Sequence, residues 1–383
     1  MTEKLFYSDS FMKSFHATVI SCEPFGDKFQ AVLDRTAFFP EGGGQYADVG
    51  KLGDAYVSDV QEKGDVIYHV IDKELTPGTE VDGEIDWDIR FSRMQQHTGE
   101  HIVSGLIHSR FGYDNVGFHL GDEICTLDMN GPVTKEELRE IEILANEAVF
   151  ANLPVIVTYP TKEELKTLVY RSKIEIEGQV RIIDIPGYDV CACCAPHLSY
   201  TGQIGLIKFI HMMNYKGGVR ITMLCGRRAL MDYQKKDDMV KEIMSELSAK
   251  EELVTEAVRH LKDDNQALKN SLDKAQSDML AVKIQGISAD EKRVCLFEKD
   301  LNSNGPRELM NLVLEKGVEI CAVFCGSDEQ GYRYVIGSNS EDVRAIGKRI
   351  NETFGGKGGG KPNMVQGSVT GEEAAIRHCF IEA

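Results

Sequence analysis

What this chain of 383 residues lacks narrows its class before any motif is considered. No apolar run approaches the roughly 20 residues that a bilayer-spanning helix needs, so no membrane partner is expected. Met1 to Lys13 holds acidic residues and no apolar core segment, which gives no sign of a secretory leader. Ten cysteines in a large chain without such a leader point to a reducing compartment, the cytoplasm, with thiols left for metal binding or burial. Positive charge is scarce: 43 Lys and Arg stand against 61 Asp and Glu, for a net charge of −18. Such an excess slows the approach of a polyphosphate, which binds through local positive charge. One local exception survives the sum. Arg344, Lys348, Arg349, Lys357 and Lys361 fall close together with only Glu352 among them.

Taken in order, the chain reads as an α+β protein of four parts. Residues 1–90 hold short β-rich runs at His16–Ile20, Phe29–Leu33 and Val66–Ile71, separated by Gly, Asp and Pro, which suggests a small β-barrel. Residues 91–224 mix strands with helices, an α+β core. Strands are expected at Gly121–Met129, Val155–Thr158, Val180–Ile185 and Ile204–Ile210, and a helix from Leu138 to Phe150 opens with Thr134 as cap and Glu137 three residues on. Residues 225–285 contain no proline, and apolar residues from Val240 through Leu261, Leu268 and Leu272 to Met279 fall at steps of three, four and seven. That is a helical, coiled-coil-like arm, with a bend expected at Lys262 to Asn265 and a homodimer through the arm or the last part as its natural use. Residues 286–383 alternate strands with helices at Arg307–Glu315 and Asp342–Phe354, a small α/β domain. Its loop from Gly355 to Lys361 carries five glycines and two lysines, which suits an anion, but lacks the lysine-Ser/Thr ending of a nucleotide-binding loop.

Chemistry concentrates in two stretches. His97-Thr98-Gly99-Glu100-His101 sits where helical spacing is expected, and histidines four apart on a helix share a face, so both imidazoles reach one ion. Cys191-Ala192-Cys193-Cys194-Ala195-Pro196-His197 offers a thiolate at Cys193 and an imidazole at His197, also four apart. On spacing alone Cys191 and Cys194 compete with Cys193. The plain alternative is a pair of solvated histidines and a few small buried thiols. The two matched pairs together favour a metal, and His97, His101, Cys193 and His197 form a nitrogen/sulfur set suited to Zn2+. Upstream, Gly42, Gly43 and Gly44 precede Gln45, where glycine lets the backbone lie close against a ligand.

These residues carry a resemblance. His97 to His101, with Cys193 to His197 followed by Thr201-Gly202-Gln203-Ile204-Gly205, resembles the editing domain of alanyl-tRNA synthetases, and in particular the free-standing AlaX proteins. Leu33 to Gln45 resembles the glycine-rich motif of the same family, and Gly355 to Pro362 resembles the C-terminal glycine-rich domain of its long form. The resemblance implies a trans-editing hydrolase that removes serine or glycine from tRNA specific for alanine, with zinc at the four ligands. It implies that Thr36 and Gln45 face the aminoacyl group or the terminal adenosine, that Thr36 reads a serine hydroxyl, and that Gly42, Gly43 and Gly44 wall the pocket. The basic residues Arg344, Lys348, Arg349, Lys357 and Lys361 would then meet tRNA. Two departures stand out. The family's usual Cys-Gly-Gly-Thr-His appears as Cys193-Cys194-Ala195-Pro196-His197, and Glu100 makes the first stretch read His-x-x-Glu-His, the spacing of inverzincin peptidases with the glutamate as base. The rivals are therefore such a peptidase and a tRNA-binding module whose zinc is structural.

Overall fold

The computed structural model describes residues 1–172 and 178–382. The chain is mixed α+β and divides into two units, Met1–Lys241 and Glu242–Ala383. Among the described residues no helix is long and apolar enough to cross a membrane.

In the first unit the strands Ser14–Phe25, Lys28–Leu33, Val66–Ile71, Ala55–Lys63, Gly50–Leu52 and Glu80–Ile85 pair antiparallel in that order and close into a barrel. Alternation does the sorting. Phe15, Ala17 and Val19 of the first strand point inward, where Leu33, Leu52, Ile67 and Ile71 join them. The barrel leads directly into the long helix Trp87–Phe111, which packs Met94, Ile102, Val103 and Ile107 against a four-stranded antiparallel sheet. That sheet runs in the order Ile207–Tyr215, Gly218–Cys225, Cys125–Met129, Asn115–Leu120. The helix Lys135–Ala151 begins with the reciprocal cap between Thr134 and Glu137 that its sequence announces. A smaller sheet, Ile156–Thr158, Ile182–Ile185 and Asp189–Ala192, carries the cysteine stretch off its last strand. Barrel and helix are locked by Arg90, wholly buried, whose Nε lies 2.8 Å from Asp48 Oδ2 while its other nitrogens reach the carbonyls of Ser10 and Ala37. A buried guanidinium is tolerable only when its donors are met in this way.

The second unit holds a five-stranded sheet in the order Arg293–Glu298, Ile320–Ser327, Gly331–Ser338, Met364–Val369, Lys357–Lys361, parallel in its first pair and antiparallel thereafter. Tyr334 and Ile336 pack under the helices Arg344–Thr353 and Glu373–Ile381, while Val323 and Val335 face the helix Gly305–Glu315.

Several boundaries differ from expectation for local reasons. The strand expected at Gly121–Met129 starts at Cys125, because Gly121 N–H turns back to the Ile124 carbonyl and pairs the strand with Asn115–Leu120. The strand expected from Ile204 starts at Ile207, after a 3-10 turn at Thr201–Ile204 held by Thr201 Oγ1 on the Ala148 carbonyl. No bend occurs at Lys262 to Asn265, since the helix Val254–Lys283 runs through it. Exposed Asp and Asn cost a helix interior only about 0.7 kcal/mol each at most. The break lies earlier, where Ser248 takes a left-handed φ of 49° after the helix Gly226–Leu247. The glycine-rich Gly355 to Lys361 is largely strand, with Lys357–Lys361 paired along Met364–Val369.

Candidate metal centre

The helix bearing His97 and His101 is fixed at both ends. Asp86 accepts the Ile89 N–H at 3.2 Å, and Gly112, at φ 72°, closes the last turn on the His108 carbonyl at 2.8 Å. One turn apart, the His97 and His101 rings lie 5.5 Å centre to centre, and the His197 ring sits 4.9 and 4.7 Å from them. Cys193 Sγ is 3.5 Å from His97 Nε2 and 3.4 Å from His197 Nε2. One ligand atom from each of the four residues lies within 4.8 Å of all the others.

These distances fit a metal. Zinc with nitrogen near 2.05 Å and sulfur near 2.3 Å in a tetrahedron separates N from S by about 3.5 Å. The outer nitrogens are already engaged: His97 Nδ1 with Gln45 Oε1 at 2.9 Å, His101 Nδ1 with Asp189 Oδ2 at 2.8 Å, and His197 Nδ1 with Thr98 Oγ1 at 3.1 Å. Each Nδ1–H can donate outward, which turns the lone pairs of Nε2 toward the thiol. Asp189 is itself gripped by Arg171, Nε to Oδ1 at 2.8 Å and Nη2 to Oδ2 at 2.9 Å. Gly105 makes that contact reachable, because a Cβ there would stand 2.2 Å from the Tyr188 carbonyl oxygen. A second grouping, His101 with Asp189 and Cys191, shares His101.

The thiol and the imidazoles balance one another's charge. Burial alone would push the Cys193 thiol up, but the neighbouring His97 and His197 and hydrogen bonds from His101 and His197 bring it well below its ordinary value. Burial opposes a charged His101, yet its hydrogen bonds to Asp189 and Cys193 raise it. Burial takes His197 down to about 3, so this ring stays neutral and able to ligate. Glu100 is buried beside the centre. One of its oxygens takes hydrogen bonds from Ser104 Oγ at 2.6 Å and from Asn115, and the other stands 3.9 Å from His101 Nε2.

The centre opens into a cavity of about 660 Å³, with His97, His101 and Cys193 in its wall beside Gly43, Gly44 and Phe118. Gly43 and Gly44 take φ of 61° and 80° in a two-residue turn, and a Cβ on Gly44 would lie 2.4 Å from the Phe118 carbonyl oxygen. Gly42 and Gln45 spend their N–H groups on each other's carbonyls at 3.1 and 3.0 Å, which leaves, among the described residues of this turn, the N–H groups of Gly43 and Gly44 to offer a ligand. Thr36 is elsewhere. Fully buried in the barrel, its hydroxyl is 2.9 Å from His69 Nε2 and accepts the Phe38 N–H at 3.1 Å, and it is not among the cavity's lining residues. The five basic residues all belong to the second unit. Arg344 pairs with Asp342, Lys348 lies 3.7 Å from Glu352, and Arg349 reaches the Glu382 carbonyl, while Lys357 and Lys361 lie on the sheet's edge strand. Sequence reasoning missed Thr98, Gln45 as a support for His97, and Arg171. Thr98 lay inside the motif and was legible; Arg171 carried no signal.

Residues 10–89 match the family model described as tRNA synthetases class II (A), and residues 180–222 match the threonyl and alanyl tRNA synthetase second additional domain. The chain is 30% identical to alanyl-tRNA editing protein Aarsd1 of Rattus norvegicus, over 94% of this chain and 93% of that protein. It is 25% identical to alanyl-tRNA editing protein AlaX-L of Pyrococcus horikoshii, over 100% and 98%. It is also 29% identical to the alanine–tRNA ligase of Ignicoccus hospitalis, over 98% of this chain, but it spans only 42% of that ligase.

Proposed function

The chain belongs to the alanyl-tRNA editing protein family, and on that premise we propose that it hydrolyses the ester joining serine or glycine to tRNA specific for alanine. The observation that carries the reading is the convergence of His97, His101, Cys193 and His197 on one point beside a cavity walled by Gly43 and Gly44. In this reading the four residues hold Zn2+, which when bound polarises an ester oxygen or holds the substrate's amino group. The rest falls to the chain itself. An aminoacyl ester is already activated, so the protein has to orient water and receive developing charge. The N–H groups of Gly43 and Gly44 are the donors for the oxyanion, and the Glu100 oxygen near His101 is the acceptor that orients water. Gln45 holds His97 in place and keeps a buried amide nitrogen that has no partner among the described residues. Rejection of alanine needs a hydrogen bond that only serine can make, and for Thr36 to supply it the hydroxyl now held between His69 and Phe38 would have to reach a cavity that it does not line.

Serine release from mischarged alanine tRNA, followed with and without a chelator, tests this. Loss of release on chelation and its return with zinc are expected; undiminished release from metal-free protein, or from His101→Ala, excludes the zinc mechanism. A second reading rests on the ligand count. Four protein ligands are the pattern of a structural site, in which case tRNA binds and no ester is cleaved. The peptidase reading predicts casein cleavage, and it has less support because the thiol ligand Cys193 and the glycine turn at Gly43–Gly44 have no part in such an enzyme.

A further inference from the structure

The cavity beside the metal centre is bordered by a cation that the metal chemistry does not use. Arg181 immediately precedes the strand Ile182–Ile185 and lines the cavity, yet it is only 7% exposed. Its Nη1 donates to the carbonyls of Cys193 at 2.9 Å and Ala195 at 2.8 Å, and the Cys193 N–H returns to the Arg181 carbonyl at 3.1 Å. These bonds tie the guanidinium to the loop that bears the thiol ligand. They occupy one of its three nitrogens. Nε is buried without a hydrogen-bond partner, and Nη2 makes no bond among the described residues either.

Other arginines of the same unit show what that edge does. Arg90, Arg171 and Arg220 each turn Nε and Nη2 on a carboxylate, that of Asp48, Asp189 and Asp128 respectively. A guanidinium fork matches the oxygens of an anion in this way. The same edge of Arg181 meets no carboxylate of the described residues. Among those residues Arg181 is the only lysine or arginine bordering the cavity, and no aspartate or glutamate borders it, in a chain with 61 acidic side chains. The Tyr7 ring lies 5.6 Å from the guanidinium carbon, but burial pushes its phenol up, so it supplies no negative charge. Glu62, whose charge reaches Tyr7, is paired with Lys4 at 2.6 Å. A buried cation is costly when nothing opposes it, so the opposing charge has to arrive with the ligand.

Position narrows the anion. In the deacylase reading the ester lies at the end marked by His97, His101 and Cys193, and Arg181 is fixed behind the Cys193 and Ala195 carbonyls of the same wall. A cavity of about 660 Å³ suits a ligand larger than an amino acid. A carboxylate freed by ester cleavage starts at the metal end. The next anion along an aminoacylated 3′ end is the phosphate on the 5′ oxygen of the same nucleotide, one ribose away from the ester.

We propose that Arg181 takes this 5′-phosphate through Nε and Nη2, and so sets how far the substrate enters the cavity. The identity of the ligand rests on the deacylase reading; the anion-binding edge does not. Calorimetric titration of the full chain with adenosine 5′-monophosphate and with adenosine tests it, since neither carries an ester. The native protein prefers the monophosphate by about tenfold or more, the scale of charge-assisted hydrogen bonds. Arg181→Gln brings that ratio close to one, and Arg181→Lys, which keeps the charge and loses the fork, falls between. A native ratio near one, or a preference that survives Arg181→Gln, overturns the proposal. If Arg181→Gln does not fold, the lysine variant decides, and a full preference there overturns it. So does weaker binding of free serine in Arg181→Gln with the monophosphate preference intact, which assigns the edge to a released carboxylate.

Hydrolysis of the seryl esters of the same two compounds separates this proposal from the reading it rests on. The ratio of kcat/KM for the phosphorylated ester to that for the plain one falls in Arg181→Gln; equal losses on both esters mark a merely structural contact and overturn the proposal. Serine release with no phosphate preference keeps the deacylase and removes this role of Arg181. A monophosphate preference that depends on Arg181, without cleavage of either ester, does the reverse.

Discussion

His101 Nδ1 and Asp189 Oδ2 lie 2.8 Å apart, with both side chains almost wholly buried and Arg171 holding the far side of the carboxylate. This chain of contacts sets the tautomer and tilt of a ring that would otherwise rotate. Outer partners of this kind typically change metal affinity by about 10- to 100-fold when removed. Asp189→Asn and Arg171→Met are therefore expected to weaken zinc binding on that scale. Competition against a chromophoric chelator reads it directly, and Arg171→Lys should recover part of the loss.

The turn at Gly43–Gly44 sets a second expectation. Gly44→Ala combines a left-handed backbone with a clash against the Phe118 carbonyl, whereas Gly64→Ala, at φ 60° with nothing within 4 Å, brings only the backbone strain. Strain alone amounts to roughly 1–2 kcal/mol. Thermal unfolding should show Gly44→Ala as clearly the more damaging of the two, and serine release should fall in that variant alone.

Acid stability follows from His69. Burial pushes its imidazole down to about 4 from the ordinary 6.5, so the folded barrel keeps it neutral while the unfolded chain takes up a proton. The unfolded state binds more protons between pH 6.5 and 4, and stability falls as the pH drops through that window, by up to about 3 kcal/mol. Urea midpoints at pH 7, 5.5 and 4.5 should decline in the native protein. In His69→Phe the decline should be shallower, whatever its starting stability.

The long helix Val254–Lys283 leaves Leu261, Leu268 and Leu272 exposed at 58%, 69% and 68%. A heptad-spaced apolar stripe in water favours pairing with a second copy. Sedimentation is expected to show a concentration-dependent dimer, and Leu268→Glu with Leu272→Glu should return it to monomer.

The sequence made the centre legible because ligation needs specific atoms at specific spacing. His97 and His101 on one helix, and Cys193 and His197 four apart, leave few other geometries. Spacing alone left Cys191 and Cys194 in competition with Cys193, which the family resemblance singled out; in the structure Cys193 faces the imidazoles, while Cys191 joins the separate grouping with His101 and Asp189. Arg171 could not be foreseen, since its role depends on a strand-edge contact to Val190 made by folding. The helix break went wrong because Asp and Asn look like breakers in sequence while Ser248 does not, although the backbone turns at Ser248. Pairing of the cations was equally hidden. Arg344 and Lys357 look alike in sequence, and only their neighbours distinguish a neutralised arginine from an available lysine.

Cys193 and His97 are separated by 96 residues of chain yet their side chains stand 3.5 Å apart. An unfolded chain can offer an ion no more than one short-range pair at a time, whereas the folded one offers four donors together. Any ion that prefers the folded state must therefore raise its melting temperature in proportion to the logarithm of its free concentration. Occupancy of these four donors is thus readable from heat alone, by the rise in melting temperature as metal is added.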